Sequence, residues 1–321
     1  MMAGGVSISD IAMADAAQAE EAHRGLRHLA RQACGWMSHP DTLRYLAPGH
    51  TGLPVIPKAK AATELALLRL LWARVRPGDR GLAAVTAAVD EIWADPSMAE
   101  KVPVTSRYYR QYALIYCALA PPGAQPHLRI KRELAPRGHL PAYGKSAYLR
   151  LEARYYADLA GLDHDFESYR ELYENSVLAR ATELITDSHE AYQVTHTMFH
   201  ITDFGNRPVE LTEPQRQQAL ILIDQMTDYF VADEYWDLIA ELLLCQHLLG
   251  QDPTRTRSGA AGVRSLLAVL TPDGRIPARY AAKRPPQTEP PLRLFQFAYH
   301  TTLVTALVSL LALASDSDRP S

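Results

Sequence analysis

Apolar residues recur at three- and four-residue spacing along almost the whole chain. They do so in 17–37, 61–75, 82–93, 106–120, 128–135, 147–160, 168–185, 188–204, 213–231, 235–249, 259–270 and 292–314. Such spacing gathers them on one side of a 3.6-residue helix, so each segment is expected to be helical. Turn-forming clusters separate the segments, among them Arg76-Pro77-Gly78-Asp79, Pro121-Pro122-Gly123 and Gly205-Asn206-Arg207-Pro208. Runs of alternating β-branched residues are absent, so no sheet is expected. The pattern predicts an all-α chain of about twelve helices joined by short loops.

Short connections make successive helices antiparallel, and such hairpins build a bundle, a solenoid or a closed toroid. No repeat of fixed period is visible, which weighs against a standard repeat array. Taken together, the even-numbered segments are poorer in Lys, Arg and Glu than the odd ones, most clearly the eighth and twelfth; the third and eleventh break the trend. An α/α toroid buries alternate helices on both sides, and it is the expected architecture, with a bundle or solenoid as the alternative. Residues 1–15 read as a flexible N-terminus, 16–315 as one helical domain and 316–321 as a flexible tail. The Pro- and Gly-bearing stretch 136–143 is the alternative boundary.

From Leu294 to Ser315 no residue is charged, a length that suffices to span a bilayer. Gln296, His300, Thr301, Thr302, Thr305 and Ser309 interrupt that stretch and no basic flank follows it. A buried helix of a soluble protein is therefore expected, with no membrane partner. The 321 residues are 47% hydrophobic and 21% charged, with a net charge of −3. That is too apolar for disorder and too evenly charged for a nucleic-acid partner. Cys34, Cys117 and Cys245 fit neither a disulfide framework nor a Cys-x-x-Cys metal site. The opening residues lack the basic-then-apolar pattern of a secretory signal, so a cytoplasmic location is expected. Six lysines against 27 arginines, with abundant alanine, point to a GC-rich bacterial genome.

The segment Asp187–Gly205 differs from the rest. Continued as one helix, it places His189, His196, His200 and Asp203 within an arc of about 60°, with Ala191, Val194, Met198 and Ile201 on the opposite side and Tyr192 and Phe199 at the flanks. An ordinary surface helix carries Lys, Arg and Glu on its polar face; between Ser188 and Phe204 only Glu190 is of that kind. The face is expected to line a cavity, where imidazoles and a carboxylate find partners. His196 and His200, at i and i+4, present two nitrogens to one divalent metal ion, and Asp203 adds an oxygen. Equally, a carboxylate can orient a histidine as general base. The competing reading is a set of buried histidines in a structural hydrogen-bond network.

Other polar groups are candidates to meet this face. His300 lies in the otherwise apolar last helix, and Glu64 and Arg69 lie on the second. Asp237 and Glu241 are paired at i and i+4 on the tenth; a surface acidic stripe is the expected reading, a shared metal or proton the other. Tyr108, Tyr112 and Tyr116, with Arg107 and Arg110 nearby, read as inter-helix packing. Walker, Gly-x-Gly-x-x-Gly and Gly-x-Ser-x-Gly motifs are absent, so no nucleotide cofactor is expected. Asp203-Phe204-Gly205 resembles the kinase magnesium motif but lacks every companion motif. Asp233-Glu234-Tyr235-Trp236-Asp237 resembles the Asp-rich motif of class I terpene synthases. The best start for a second motif, Asn175, has Ala179 where a hydroxyl belongs, and it precedes the first motif.

The string His196-Thr197-Met198-Phe199-His200-Ile201-Thr202-Asp203-Phe204-Gly205 resembles a segment of uncharacterised actinobacterial all-helical proteins, a domain-of-unknown-function family of similar size. Some of these are encoded near natural-product genes. The likeness covers about ten residues beyond length and helical pattern. It implies a shared fold. Some relatives place an aromatic residue at the position of His200, which makes His196 with Asp203 the surer pair. The expectation is an enzyme with a central cavity, performing lyase, cyclase, isomerase or hydrolase chemistry on a small or peptidic metabolite. His196 is its base or metal ligand, Asp203 the partner of His196, and His189, His200 and His300 complete the wall. A helical scaffold that binds a peptide or carrier is the alternative.

Overall fold

The computed structural model describes residues 11–96, 110–134, 146–208, 210–279 and 290–317. Among these residues there are fourteen α-helices and no strand. They are α1 (Ala16–Met37), α2 (Pro40–Leu43), α3 (Val55–Val75), α4 (Arg80–Ala94), α5 (Arg110–Ala118), α6 (Pro126–Leu134) and α7 (Ala147–Ala160). Then follow α8 (Tyr169–Glu174), α9 (Val177–Arg180), α10 (Ser188–Ile201), α11 (Glu213–Ala232), α12 (Trp236–Leu248), α13 (Arg257–Val269) and α14 (Pro291–Ser317). The all-helical expectation holds. Two short helices exceed the predicted twelve. α2 starts where the His39 ring accepts from the Asp41 amide and Pro40 pre-sets the first turn. The segment 168–185 splits because Ser176 caps a new helix, its hydroxyl accepting from the Ala179 amide.

Six of the helices touch in a closed cycle: α3 meets α5, α5 meets α7, α7 meets α10, α10 meets α12, α12 meets α14, and α14 returns to α3. These are the six even-numbered segments of the sequence. Of the others, α4 lies against α3, α6 against α5, α8 against α7, α9 against α10, α11 and α13 against α12, and α1 against α14, while α2 touches α1 and α4. Ring helices are enclosed on two sides, which is why their composition is so apolar; α12 alone buries Trp236 and every residue from Leu238 to Gln246. A buried leucine or phenylalanine contributes roughly 1.5–3 kcal/mol, so the stability of the ring rests on these faces.

Within α14, Pro291–Ala314 is long and apolar enough to cross a membrane, yet 83% of its apolar 18-residue window is buried inside the protein. That is compatible with a soluble protein. Two of its hydroxyls are absorbed locally: Thr302 donates to the Ala298 carbonyl (2.7 Å) and accepts from the Ile276 amide (2.9 Å), and Thr305 donates to the Thr301 carbonyl (2.8 Å).

Residues 11–15, read above as flexible, are tied down. Ala14 N–H donates to the Arg255 carbonyl (2.8 Å), and Arg257 N–H donates to the Ala12 carbonyl (2.8 Å). Ile11 is buried, and Asp15 opens α1 with a capping box to Gln18. Helix α14 likewise runs two residues into the expected tail. The candidate boundary at 136–143 lies outside the described residues, as do Arg107 and Tyr108.

Candidate functional site

Helix α10 begins at Asp187, whose carboxylate accepts from the Glu190 amide (3.0 Å). Its predicted apolar face is fully realised, since Ala191, Val194, Met198 and Ile201 are all buried. It ends at Ile201 because Asp203, Phe204 and Gly205 adopt left-handed backbone conformations (φ 46°, 51° and 92°). Each such non-glycine residue costs about 1–2 kcal/mol. Local hydrogen bonds offset that strain: Arg207 N–H donates to the Thr202 carbonyl (2.8 Å), and the Thr202 hydroxyl to the Met198 carbonyl (2.8 Å).

This ending overturns the placement of Asp203. A continuous helix puts it one turn beyond His200; the left-handed turn swings it away from that face. Its carboxylate instead accepts from Arg74 Nη1 (3.0 Å), the Tyr155 hydroxyl (2.8 Å) and the Asn206 amide (2.8 Å). Asp203 is thus a clamp joining α3, α7 and the turn, and it is not the partner of His196. Among the described residues no three His, Cys, Asp or Glu side chains gather to hold a metal ion. The proposed ligand set of His196, His200 and Asp203 therefore does not assemble. His189 is corrected as well, because it sits exposed in the first turn of α10, edge-on to Tyr148 (6.4 Å), and does not line the cavity.

The cavity itself is present. Its volume is about 680 Å³, and all six ring helices line it. One part of the wall is apolar and aromatic: Leu67, Ile115, Leu149, Tyr156, Phe199, Phe204, Leu303, Val304 and Leu307. Phe204 reaches it because the strained turn stacks its ring on Phe199 (5.2 Å). The polar part gathers Lys60 and Glu64 from α3, His196 from α10, Glu241 from α12 and His300 from α14. Tyr112 and Glu152 also line the cavity, and each has interaction partners of its own. Tyr116, further along the predicted tyrosine stripe, is core instead, stacked on Trp93 (4.5 Å). Arg69 does not line the cavity.

His300 is the centre of the polar part. Its Nδ1 faces Glu64 Oε1 at 3.1 Å and its Nε2 faces Glu241 Oε1 at 3.5 Å. An imidazole with a carboxylate on each nitrogen carries both protons, and so a positive charge. Burial opposes that charge, but Glu64 and Glu241 outweigh burial and push the His300 pKa up to about 10. In return, burial favours the neutral form of both glutamates, and His300 overcomes it, with Lys60 (3.6 Å) helping at Glu64 and the Thr195 hydroxyl (2.5 Å) at Glu241. Both carboxyls are held below their ordinary range. The surface-stripe reading of Asp237 and Glu241 thus fails. Glu241 is fully buried, and Asp237 accepts from the Tyr192 hydroxyl.

His196 is the opposite case. Burial holds its pKa below the ordinary value despite the attraction of Glu241, so it is neutral at neutral pH. Its ring is flanked by Tyr148, Tyr192, Phe199 and His200. No hydrogen bond to that ring is formed among the described residues. His200 is more deeply buried, against Tyr155 (5.1 Å) and Tyr156 (5.8 Å), and burial followed by His196 lowers its pKa further. Sequence reasoning thus located His196, His200 and His300, and it missed that Glu64 and Glu241 complete the site. The available signal was a single glutamate inside an apolar run, as in Leu238-Ile239-Ala240-Glu241-Leu242-Leu243-Leu244.

The acids of the terpene-synthase-like motif are engaged elsewhere: Asp233 pairs with Arg279 (2.7 Å), Asp237 with Tyr192, and Glu234 is exposed. Compared with known proteins, residues 30–310 match the family described as a domain of unknown function, DUF6895, and the chain belongs to it. No curated protein and no solved structure matches.

Proposed function

We propose that this member of the DUF6895 family is an enzyme that carries out acid–base chemistry on a small, largely apolar metabolite held inside the helical ring. The observation that carries this reading is the division of labour between two imidazoles in one cavity, His300 kept charged and His196 kept neutral. Titratable neighbours whose environments drive their pKa values apart are the usual basis of acid–base assignments. His196 is the base. It is neutral before reaction, its ring nitrogens are free of protein partners among the described residues, and Glu241 stabilises the positive charge it gains on taking a proton. Both N–H groups of His300 are engaged by carboxylates, so its role is electrostatic: it keeps Glu241 ionised and favours negative charge developing nearby on substrate. A proton taken by His196 and returned to another atom of the same molecule gives an isomerase, lyase or cyclase. The cycle of inner helices with outer partners supports the α/α toroid as the architecture. The arginine-rich composition favours a bacterial origin, the three free cysteines favour a reducing cytoplasm, and the motif resemblance favours an actinobacterial enzyme of natural-product biosynthesis.

The test is to incubate the purified protein and its His196→Gln variant with fractionated bacterial metabolite extracts and follow both by mass spectrometry. We expect a compound to be consumed and a product to form with the parent protein, at a rate about 10²–10⁴-fold lower in the variant. A ligand retained and recovered unchanged by both proteins would overturn the enzyme reading in favour of a binding protein.

A further inference from the structure

The charges around the cavity set the class of molecule it admits, given that the cavity is the ligand site proposed above. Lys60 and His300 supply two positive charges; Glu64 and Glu241 supply two negative ones, each within 3.6 Å of a partner. Glu152, on another ring helix, has partners of its own. The four charges of Lys60, Glu64, Glu241 and His300 are therefore compensated among themselves before any ligand arrives. A charged head group brought into it loses its water and finds no unpaired counter-charge, an unfavourable exchange. Two cavity-lining imidazoles lack a hydrogen-bond partner among the described residues: His200, whose buried Nδ1 is unsatisfied, and the less deeply buried His196. The neutral ring of His196 offers one N–H donor and one nitrogen acceptor, the pair that a hydroxyl or carbonyl compound can satisfy. Beyond it the wall is hydrocarbon and aromatic.

We infer that the cavity selects an uncharged molecule, an apolar body bearing a hydroxyl or carbonyl group that hydrogen-bonds His196, and that it discriminates against carboxylates, phosphates and amines of the same body. The charge balance of Lys60, Glu64, Glu241 and His300 is what enforces that selection. This class excludes free amino acids, nucleotides and acyl phosphates, and it favours alcohols, ketones and lactones.

Three probes share one body and differ in the head: 4-phenylbutanol, 4-phenylbutylamine and 4-phenylbutanoate. Binding to the full chain at neutral pH is measured by calorimetry, and the site is identified by the shift of the His196 ring resonances in NMR spectra. The alcohol is expected to bind, to move those resonances, and to exceed both charged probes by about tenfold or more, the sense dictated by uncompensated burial of charge. Removing one wall charge should reorder the series. Glu64→Gln leaves an excess positive charge and should raise the relative affinity of the carboxylate. Lys60→Gln, at a half-exposed position that tolerates change, leaves an excess negative charge and should favour the amine. Should Glu64→Gln fail to fold, the Lys60 variant alone decides. Equal or tighter binding of either charged probe to the parent protein overturns the inference while the cavity remains the site. If no probe moves the His196 resonances, both this inference and the site reading are overturned. Alcohol binding without turnover in any extract removes the enzyme reading and leaves this inference standing.

Discussion

At the scale of single residues, the site turns on how burial and charge sort four histidines of the chain. His189 is exposed and apart from the cavity, burial disfavours charge on His196 and His200, and His300 alone of the three gains enough carboxylate contact to reverse the effect. None of this was legible in spacing alone, because the compensating glutamates come from helices 59 and 236 residues away from His300 and from chain neighbourhoods that look like plain core. The pH dependence has a definite sign. A pKa raised in the folded state means that stabilisation is complete below the unfolded imidazole value, about 6.5, and is lost as pH rises through about 10. The melting-temperature gap between the parent protein and His300→Gln should therefore be widest near pH 6 and narrow toward pH 10. The depressed pKa values of His196 and His200 act at the other end, where stability falls as pH drops below about 6.5 because the unfolded chain takes up those protons first. Ring ¹⁵N spectra should show His300 doubly protonated at pH 8, where His196 and His200 are neutral; a neutral His300 at pH 8 would contradict the assignment.

At the scale of elements, the turn that ends α10 explains both what the motif does and why the helical wheel misled. The wheel assumes one helix through Phe204, and it correctly gave the buried face as far as Ile201 and put His196 and His200 on the cavity, though not His189. It could not see three successive left-handed residues, since only Gly205 among them advertises that conformation. Within the motif, His196, Phe199, His200 and Phe204 line the cavity, whereas Asp203 holds the turn to Arg74 and Tyr155. Asp203→Ala removes the acceptor of three donors, and a melting-temperature loss corresponding to about 1–3 kcal/mol is expected, with the His300 titration unchanged. Gly205→Ala should cost about 1–2 kcal/mol from its φ of 92° alone. If Asp203→Ala kept full stability and instead altered the titration of His196, the carboxylate would belong to the reacting site after all.

At the scale of the whole molecule, alternation along the chain proved more informative than any motif. With the third and eleventh segments as exceptions, charge-poor and charge-rich segments alternate as ring and flanking helices do, and the even-numbered segments are the ring. Twelve segments against fourteen helices is a small discrepancy, set by serine and proline caps in loops too short to register a period. The ring also accounts for the thiols. Cys34 in α1, Cys117 in α5 and Cys245 in α12 are all buried, and burial pushes the first two up to about 12 and Cys245 well above its ordinary value. With access and ionisation both suppressed, Ellman's reagent at pH 8 should modify none of them in the native protein on the timescale of minutes, and all three at once in denaturant. Rapid reaction of Cys245 without unfolding would mean that the ring opens at α12.

Ring closure has one more consequence, in the order of synthesis. The two groups that face each other across Glu64 and His300 are 236 residues apart, and α14 is the last ring helix to leave the ribosome. Until then the nascent chain is an open arc whose inner faces, meant for enclosure, confront the solvent or a chaperone. The cavity's polar cluster is completed late, since its central histidine arrives after every other member. A chain stalled or truncated ahead of α14 would be a sticky open arc of five ring helices rather than a weakened ring, leaving the cell with either an assembled pocket or a substrate for proteolysis.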